Sequence, residues 1–214
     1  MTGNCDSVVT DRLPSPPLLV ITDRATAVGP VPDIIAAALR GGCRWVMLRD
    51  KNAQGDEIAR DLVARCHDLG AIAVVNGDFA RAARLNADGV HLRSASMVAP
   101  ARAMLGTIAL IGVSCHSTGD ISAAETSGAD YATLSPVFLT DSKPGYGPAL
   151  GLEGLSNTCS NTRLPVLALA GIDAGNVRSC LDFGAAGAAV MGGVMRATDP
   201  EKTVQELIGA LLSG

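Results

Sequence analysis

Aromatic residues are scarce in this chain of 214 residues: one Trp, two Tyr and three Phe make up 3% of it. A hydrophobic core therefore has to be built from Ala, Val, Leu and Ile. No apolar run approaches the roughly 20 residues that a membrane-spanning helix needs. The N-terminal segment carries Asp6 and Asp11 and has no apolar stretch, so it does not look like a signal peptide.

The chain also lacks a basic excess and any close pair of cysteines. Lys and Arg total 17 against 21 Asp and Glu, which gives a net charge of −4. This balance argues against nucleic acid or an anionic membrane as a partner. The six cysteines form no Cys-x-x-Cys motif, so their spacing predicts neither a zinc site nor a disulfide framework. We expect reduced thiols and cytoplasmic localisation.

What the sequence does have is an alternation of short apolar runs with longer helical patterns. The run PVLALAG at 165–171 is apolar on consecutive residues, as strands buried on both faces must be. Asp173 and Asp199 stand where helix N-caps are expected. Eight strands are predicted, each followed by a helix, at 18–22, 45–49, 72–76, 89–92, 110–115, 131–138, 165–171 and 187–193.

Repeated strand–helix order predicts a parallel sheet with right-handed crossovers. Eight units in one chain predict the α/β class and a single (β/α)8 TIM barrel over residues 18–214, after a flexible N-terminal lead-in at 1–17. The alternative is a doubly wound open sheet. That fold would normally carry a glycine-rich first turn, and the first turn here, TDRATAVGP, has no Gly-x-Gly-x-x-Gly motif.

In a TIM barrel the active site lies at the carboxyl ends of the strands. Lysines and arginines that converge there in an acidic protein predict a small anionic ligand. Bare backbone N–H groups in the glycine turns after the last two strands can approach a phosphate closely. His116 can accept and return a proton near neutral pH, so it is the candidate general acid–base. The candidate binding residues are Arg49, Lys51, Asn76, Ser114, Thr140, Ser142, Lys143, Gly171, Gly192 and Gly193.

Eight short motifs, in order and at matching spacing, resemble the thiamine phosphate synthase/TenI superfamily. They are ITDR, MLRDK, VVNGD, ADGVHL, GVSCHS, DYATLSPVFLTDSKPG, ALAGI and AVMGG. The resemblance implies a barrel enzyme of thiamin biosynthesis that binds a phosphorylated thiazole, and a homodimer is a family-level expectation. One branch of the family couples a pyrimidine diphosphate to a thiazole phosphate with Mg2+. The TenI-like branch aromatises the thiazole phosphate by proton transfer.

The resemblance also implies that the loop after the sixth predicted strand contacts the thiazole phosphate. Thr140 and Ser142 match the hydroxyl positions of the family's Thr-x-Thr-Lys motif, and Lys143 matches its lysine. These side chains supply hydrogen-bond donors to a phosphate. Gly192 stands where serine is common in the family. The lack of a serine hydroxyl there implies slightly weaker binding of the phosphate.

Departures from the synthase pattern favour the TenI-like branch. The synthase's Gln-Leu-Arg-Asp-Lys begins here with Met47. Its two expected carboxylate ligands for Mg2+ are replaced by Gly77 and Ser96, although Asp78 follows one place late. We therefore expect a thiazole tautomerase with no metal site and no cofactor. Thiamine phosphate synthase, with Mg2+, is the alternative, and a non-catalytic thiamin-precursor binding protein is a second alternative.

Overall fold

The structure is a computed structural model that describes residues 12–50, 56–140 and 148–213. Within these ranges the chain forms a closed barrel of parallel strands. Each strand pairs with the next along the chain, and the last strand closes the ring on the first. The strands are β1 (Leu18–Ile21), β2 (Trp45–Leu48), β3 (Ile72–Asn76), β4 (Gly89–Leu92), β5 (Leu110–Cys115), β6 (Tyr131–Leu134), β7 (Val166–Leu169) and β8 (Gly187–Val190).

Helices surround the barrel, and a short 3-10 helix at Ala95–Met97 precedes the fourth of them. None of the helices in the described ranges is long and apolar enough to cross a membrane. The predicted (β/α)8 barrel is confirmed, and the open-sheet alternative is wrong. The helices are α1 (Val31–Arg40), α2 (Asp56–Asp68), α3 (Phe79–Leu85), α4 (Val98–Leu105), α5 (Thr118–Thr126), α6 (Gly151–Cys159), α7 (Val177–Asp182), α8 (Gly192–Met195) and α9 (Pro200–Leu212).

The strands bury both of their faces, which explains their consecutive apolar residues. Val20 and Val46 belong to the large layer between strands and helices. Their neighbours Leu19, Trp45 and Met47 fill the interior of the barrel. Successive side chains of a strand point to opposite faces, so membership of one cluster tells which way the next residue points.

The barrel interior also encloses a polar network centred on His91. Its Nδ1 lies 3.1 Å from the Tyr131 hydroxyl, and its Nε2 lies 3.3 Å from the Thr133 hydroxyl. Burial lowers the pKa of His91 to about 3, so the ring is neutral at physiological pH. Gly112 leaves room for this network, because a Cβ at that position would stand 2.1 Å from a ring carbon of Tyr131.

The described part of the expected N-terminal lead-in contacts the amino end of the barrel. Arg12 forms an ion pair with Asp130 and donates to the carbonyl oxygens of Thr107 and Ile108. Leu13 packs against the cluster inside the barrel. The lead-in is therefore anchored at its C-terminal end. Residues 1–11 lie outside the described residues, and a flexible segment there stays a prediction.

Candidate active site at the carboxyl ends of the strands

Arg49 directly follows β2 and reaches over the mouth of the barrel. Its backbone N–H donates to the Thr22 hydroxyl at 2.8 Å, which fixes the start of the loop. Its guanidinium lies 3.3 Å from the carboxylate of Asp23 and 3.7 Å from the sulfur of Met191. Asp23 follows β1 and Met191 follows β8. The predicted anion-binding arginine thus stands beside the glycine turn after β8, with its charge partly offset by Asp23.

Asn76 and Ser114, both half-buried, stand at the upper edge of the barrel interior. Asn76 ends β3 beside His91, and Ser114 pairs with a residue of β6. Val113 and Cys115, on either side of Ser114, belong to the layer between strands and helices. Because successive side chains of a strand alternate, Ser114 faces the barrel interior. Burial raises the pKa of the Cys115 thiol to about 12, which keeps it protonated and unreactive at neutral pH.

His116 follows β5, and the structure defines the orientation of its ring. Its Nδ1 lies 2.8 Å from the backbone carbonyl oxygen of Ser135, which follows β6. A carbonyl oxygen only accepts hydrogen bonds, so Nδ1 carries the proton in the neutral ring and Nε2 carries the lone pair. The backbone N–H of His116 donates to the carboxylate of Asp120 at 2.9 Å. This hydrogen bond is the largest cause of the lowered pKa of Asp120. The contact with Ser135 ties the ends of two strands together and also orients a potential base.

Gly171 lets the loop after β6 lie directly against the end of β7. Its φ is +66°, and an added Cβ would stand 2.6 Å from the carbonyl oxygen of Leu139 and 2.6 Å from Cβ of Phe138. The N–H of Phe138 donates to the carbonyl oxygen of Ala170 at 3.2 Å. This close approach brings Thr140, the next residue along the loop, to the ends of β6 and β7.

Three of the predicted binding residues, Lys51, Ser142 and Lys143, lie outside the described residues. Their places in the site stay predictions. The structure does bring the other predicted residues to the same end of the barrel, because each follows or ends a parallel strand. That shared end is the one at which TIM barrels bind their ligands.

Gly192 and Gly193 begin the short helix α8. Apart from its chain neighbours and the backbone of its own helix, no described residue has an atom within 4 Å of a Cβ placed on Gly193, so the backbone there is open on its side-chain face. A Cβ on Gly192 would stand 2.5 Å from Nη1 of Arg196. The guanidinium of Arg196 therefore fills the space of a side chain at 192. The sequence analysis did not predict this cation. The sequence did offer an indication of it, because Gly192 stands where serine is common in the family and Arg196 follows four residues later.

The residues present do not fit an Mg2+ ion at the positions that the family resemblance implies. Gly77 has no side chain, and Ser96 offers a hydroxyl that lies 2.9 Å from the hydroxyl of Ser94. Asp78, the carboxylate one place late, is the N-cap of α3 and accepts the N–H of Arg81 at 2.8 Å. Across the described residues no group of three or more His, Cys, Asp or Glu could hold a metal.

A parallel eight-stranded barrel with arginines and glycine turns at its carboxyl end has the features of the anion-binding TIM-barrel class. The chain belongs to the thiamine monophosphate synthase family, whose family model matches residues 18–194. It is 38% identical over 199 residues to a putative thiamine-phosphate synthase of Geobacter sulfurreducens, covering 91% of this chain and 93% of that protein. It is 39% identical over 202 residues to a thiamine-phosphate synthase of Chlorobium luteolum, covering 92% of this chain and 93% of that protein.

A solved structure supports the same grouping. The thiamine phosphate pyrophosphorylase of Pyrococcus furiosus superposes with a TM-score of 0.82 at 32% identity, over 95% of this chain and 97% of that one. The predicted superfamily is confirmed, and the chain is an enzyme of this family. The names of these relatives support thiamine phosphate synthase, the alternative, better than the tautomerase that the motif departures favoured.

Proposed function

We propose that this protein is a thiamine-phosphate synthase, which joins a pyrimidine diphosphate to a thiazole phosphate. One observation carries the proposal: identity of 38–39% to proteins named for that activity, over more than nine-tenths of both chains. Such likeness spans the barrel and the loops at its carboxyl end. It outweighs the departures at positions 47, 77 and 96 that favoured a tautomerase.

The reaction explains why cations should gather at the mouth of an acidic protein. The lone pair of the thiazole nitrogen forms a bond to the methylene carbon of the pyrimidine. The carbon–oxygen bond breaks, and its electrons leave with the diphosphate. Negative charge therefore grows on the leaving group in the transition state, and fixed positive groups beside it stabilise that state more than the ground state. Arg49 at the mouth is such a group, and Lys51 is a predicted one.

The glycine turns suit the phosphate of the thiazole substrate. Backbone N–H groups of Gly171, Gly192 and Gly193 and the hydroxyl of Thr140 are the proposed donors, with Ser142 and Lys143 as predicted additions. Arg196 adds a guanidinium beside Gly192. Charge-assisted hydrogen bonds of this kind contribute about 1.5–3 kcal/mol each. Thiazole phosphate should therefore bind at least about tenfold more tightly than its dephosphorylated analogue.

His116 has different roles in the two candidate reactions. The coupling moves no proton to or from the attacking thiazole nitrogen, so it needs no base there. His116 then acts by position, since it holds the ends of β5 and β6 together through Ser135. The tautomerase remains the second candidate, because the carboxylates implied for Mg2+ are lacking and Nε2 of His116 bears the lone pair that proton transfer requires. In that reaction His116 would be the general acid–base.

One set of assays separates the three functions. A synthase produces thiamine phosphate and inorganic diphosphate in equal amounts from the two substrates. A tautomerase converts the non-aromatic thiazole phosphate in the presence of EDTA. A protein that only binds the precursor does neither, yet its melting temperature rises with thiazole phosphate. We expect coupling; turnover of the tautomer without coupling would contradict the proposal.

A further inference from the structure

Arg93 directly follows β4, at the carboxyl end of the barrel. Val90 and Leu92 of β4 belong to the layer between strands and helices, and His91 between them points into the barrel interior. The strand ends in a bend at Arg93, and the guanidinium reaches toward Gly77 at the end of β3. Arg93 is exposed, and it makes no ion pair or side-chain hydrogen bond with any residue in the ranges that the structure describes.

Gly77, on the neighbouring strand end, lies against this guanidinium. A Cβ placed on Gly77 would stand 3.7 Å from Nε of Arg93 and would meet no other atom of the described residues within 4 Å. An acidic side chain at 77 would therefore neutralise Arg93. The glycine avoids this pairing, whereas Arg49 is paired with Asp23 and Arg81 is paired with Asp56. Arg93 thus carries a positive charge that no described carboxylate offsets.

The charge at this edge is reversed relative to the arrangement that the family resemblance implies. Two carboxylates carry two negative charges, and a bound Mg2+ ion brings the net charge of such a site close to zero. Gly77 and Ser96 bring no charge, and Arg93 brings one positive charge without any metal. A guanidinium can bind two phosphate oxygens at once through parallel N–H donors. The same edge can therefore bind a diphosphate directly.

We infer that Arg93 binds the diphosphate of the pyrimidine substrate in place of a carboxylate-bound metal, so that diphosphate binding here does not depend on Mg2+. The inference rests on the proposed synthase function for the identity of the substrate. Its test, however, needs only inorganic diphosphate as the probe. Binding can therefore be measured whether or not the coupling reaction is observed.

The first experiment is isothermal titration of inorganic diphosphate into the full-length protein, in EDTA and in Mg2+. We expect the wild-type dissociation constants in the two buffers to agree within about threefold. Arg93→Gln should weaken binding in EDTA by at least about tenfold, since it removes charge-assisted hydrogen bonds. Arg163→Gln is the matched control: it removes the same charge from an exposed arginine at the opposite end of the barrel, just before β7, and should change nothing.

A second pair of variants tests the geometry without touching Arg93. Gly77→Asp and Gly77→Asn share the same shape and the same strain at a φ of +80°. Only the aspartate can pair with the guanidinium. We expect Gly77→Asp to weaken diphosphate binding in EDTA about as much as Arg93→Gln does, and Gly77→Asn to bind at least severalfold more tightly than Gly77→Asp.

The outcomes keep this inference separate from the proposed function. Wild-type binding that requires Mg2+, or equal affinities of Arg93→Gln and wild type in EDTA, would overturn the role of Arg93 even if coupling is robust. Equal affinities of the two Gly77 variants would overturn it as well. Absence of coupling, together with diphosphate binding that depends on Arg93, would instead refute the synthase and leave the anion site standing.

Discussion

Gly171→Ala should disturb both the fold and the binding site, because Gly171 is where the loop after β6 presses on the end of β7. Two costs add at this position. An alanine at a φ of +66° is in the left-handed region, which costs about 1–2 kcal/mol. Its Cβ would also stand 2.6 Å from the Leu139 carbonyl oxygen, a distance that real Cβ atoms do not show. Relief of such overpacking costs typically about 1–3 kcal/mol more.

Gly128→Ala separates these two costs. Gly128 has a φ of +81°, and no atom of the described residues lies within 4 Å of a Cβ placed there. It lies between α5 and β6, at the amino end of the barrel. The strain of the left-handed backbone is therefore similar, and the clash is absent. Urea unfolding should find Gly171→Ala less stable than Gly128→Ala by about 1–3 kcal/mol.

The same pair of variants also tests the site. The clash with Leu139 displaces the residue that precedes Thr140, so Thr140, a proposed donor to the thiazole phosphate, moves out of hydrogen-bond range. Titration should find that Gly171→Ala binds thiazole phosphate about tenfold or more weakly than wild type, while Gly128→Ala binds it normally. Equal stability and equal affinity of the two variants would refute the contact between this loop and β7.

The contacts of His116, His91 and Gly112 can each be tested with a single substitution. His116→Asn should lower the turnover of coupling by less than about tenfold, because coupling needs no base at the thiazole nitrogen; a loss of about 100- to 10,000-fold in steady-state assays would instead indicate general acid–base catalysis. Burial lowers the pKa of His91 to about 3 from its ordinary value of 6.5, so the unfolded state binds more protons between these values and stability falls as the pH drops through this window. From pH 7 to pH 5 wild type should lose about 2 kcal/mol more than His91→Gln in urea unfolding, and parallel losses would contradict a buried neutral ring. Gly112→Ala forces Tyr131 to move and should cost about 3 kcal/mol or fail to fold, which a thermal melt detects; an unchanged melting temperature would exclude the tight packing around Tyr131.

The strand pattern was readable from the sequence because these strands are buried on both faces. Some helix starts were readable too: Asp199 caps α9 as predicted and accepts the N–H of Lys202 at 3.0 Å. Asp173 was a wrong N-cap prediction. Its carboxylate closes a turn by accepting the N–H of Gly175 at 2.8 Å, and α7 begins only at Val177. A local pattern does not separate a capping aspartate from one that closes a turn before the helix.

The positions of the candidate site residues in the barrel were predictable, and their contacts were less so. The predicted strand order placed Arg49, Asn76 and His116 at the carboxyl ends of the strands, and the structure has them there; that a ligand binds at this end stays a prediction. The contact of Arg49 with Met191 joins residues 142 positions apart, which no spacing reveals. The arginines beside Gly77 and Gly192 were missed for a related reason. A glycine in a sequence shows that a side chain is lacking, but not which distant side chain fills its place.

The steady-state rate of thiamine phosphate formation decides whether this protein is a synthase. Purified full-length protein is mixed with the pyrimidine diphosphate and the thiazole phosphate, and both the product and the released diphosphate are quantified over time. We expect catalytic turnover with equal amounts of thiamine phosphate and diphosphate. Formation no faster than in the reaction without protein, under conditions in which the protein binds thiazole phosphate, would contradict it.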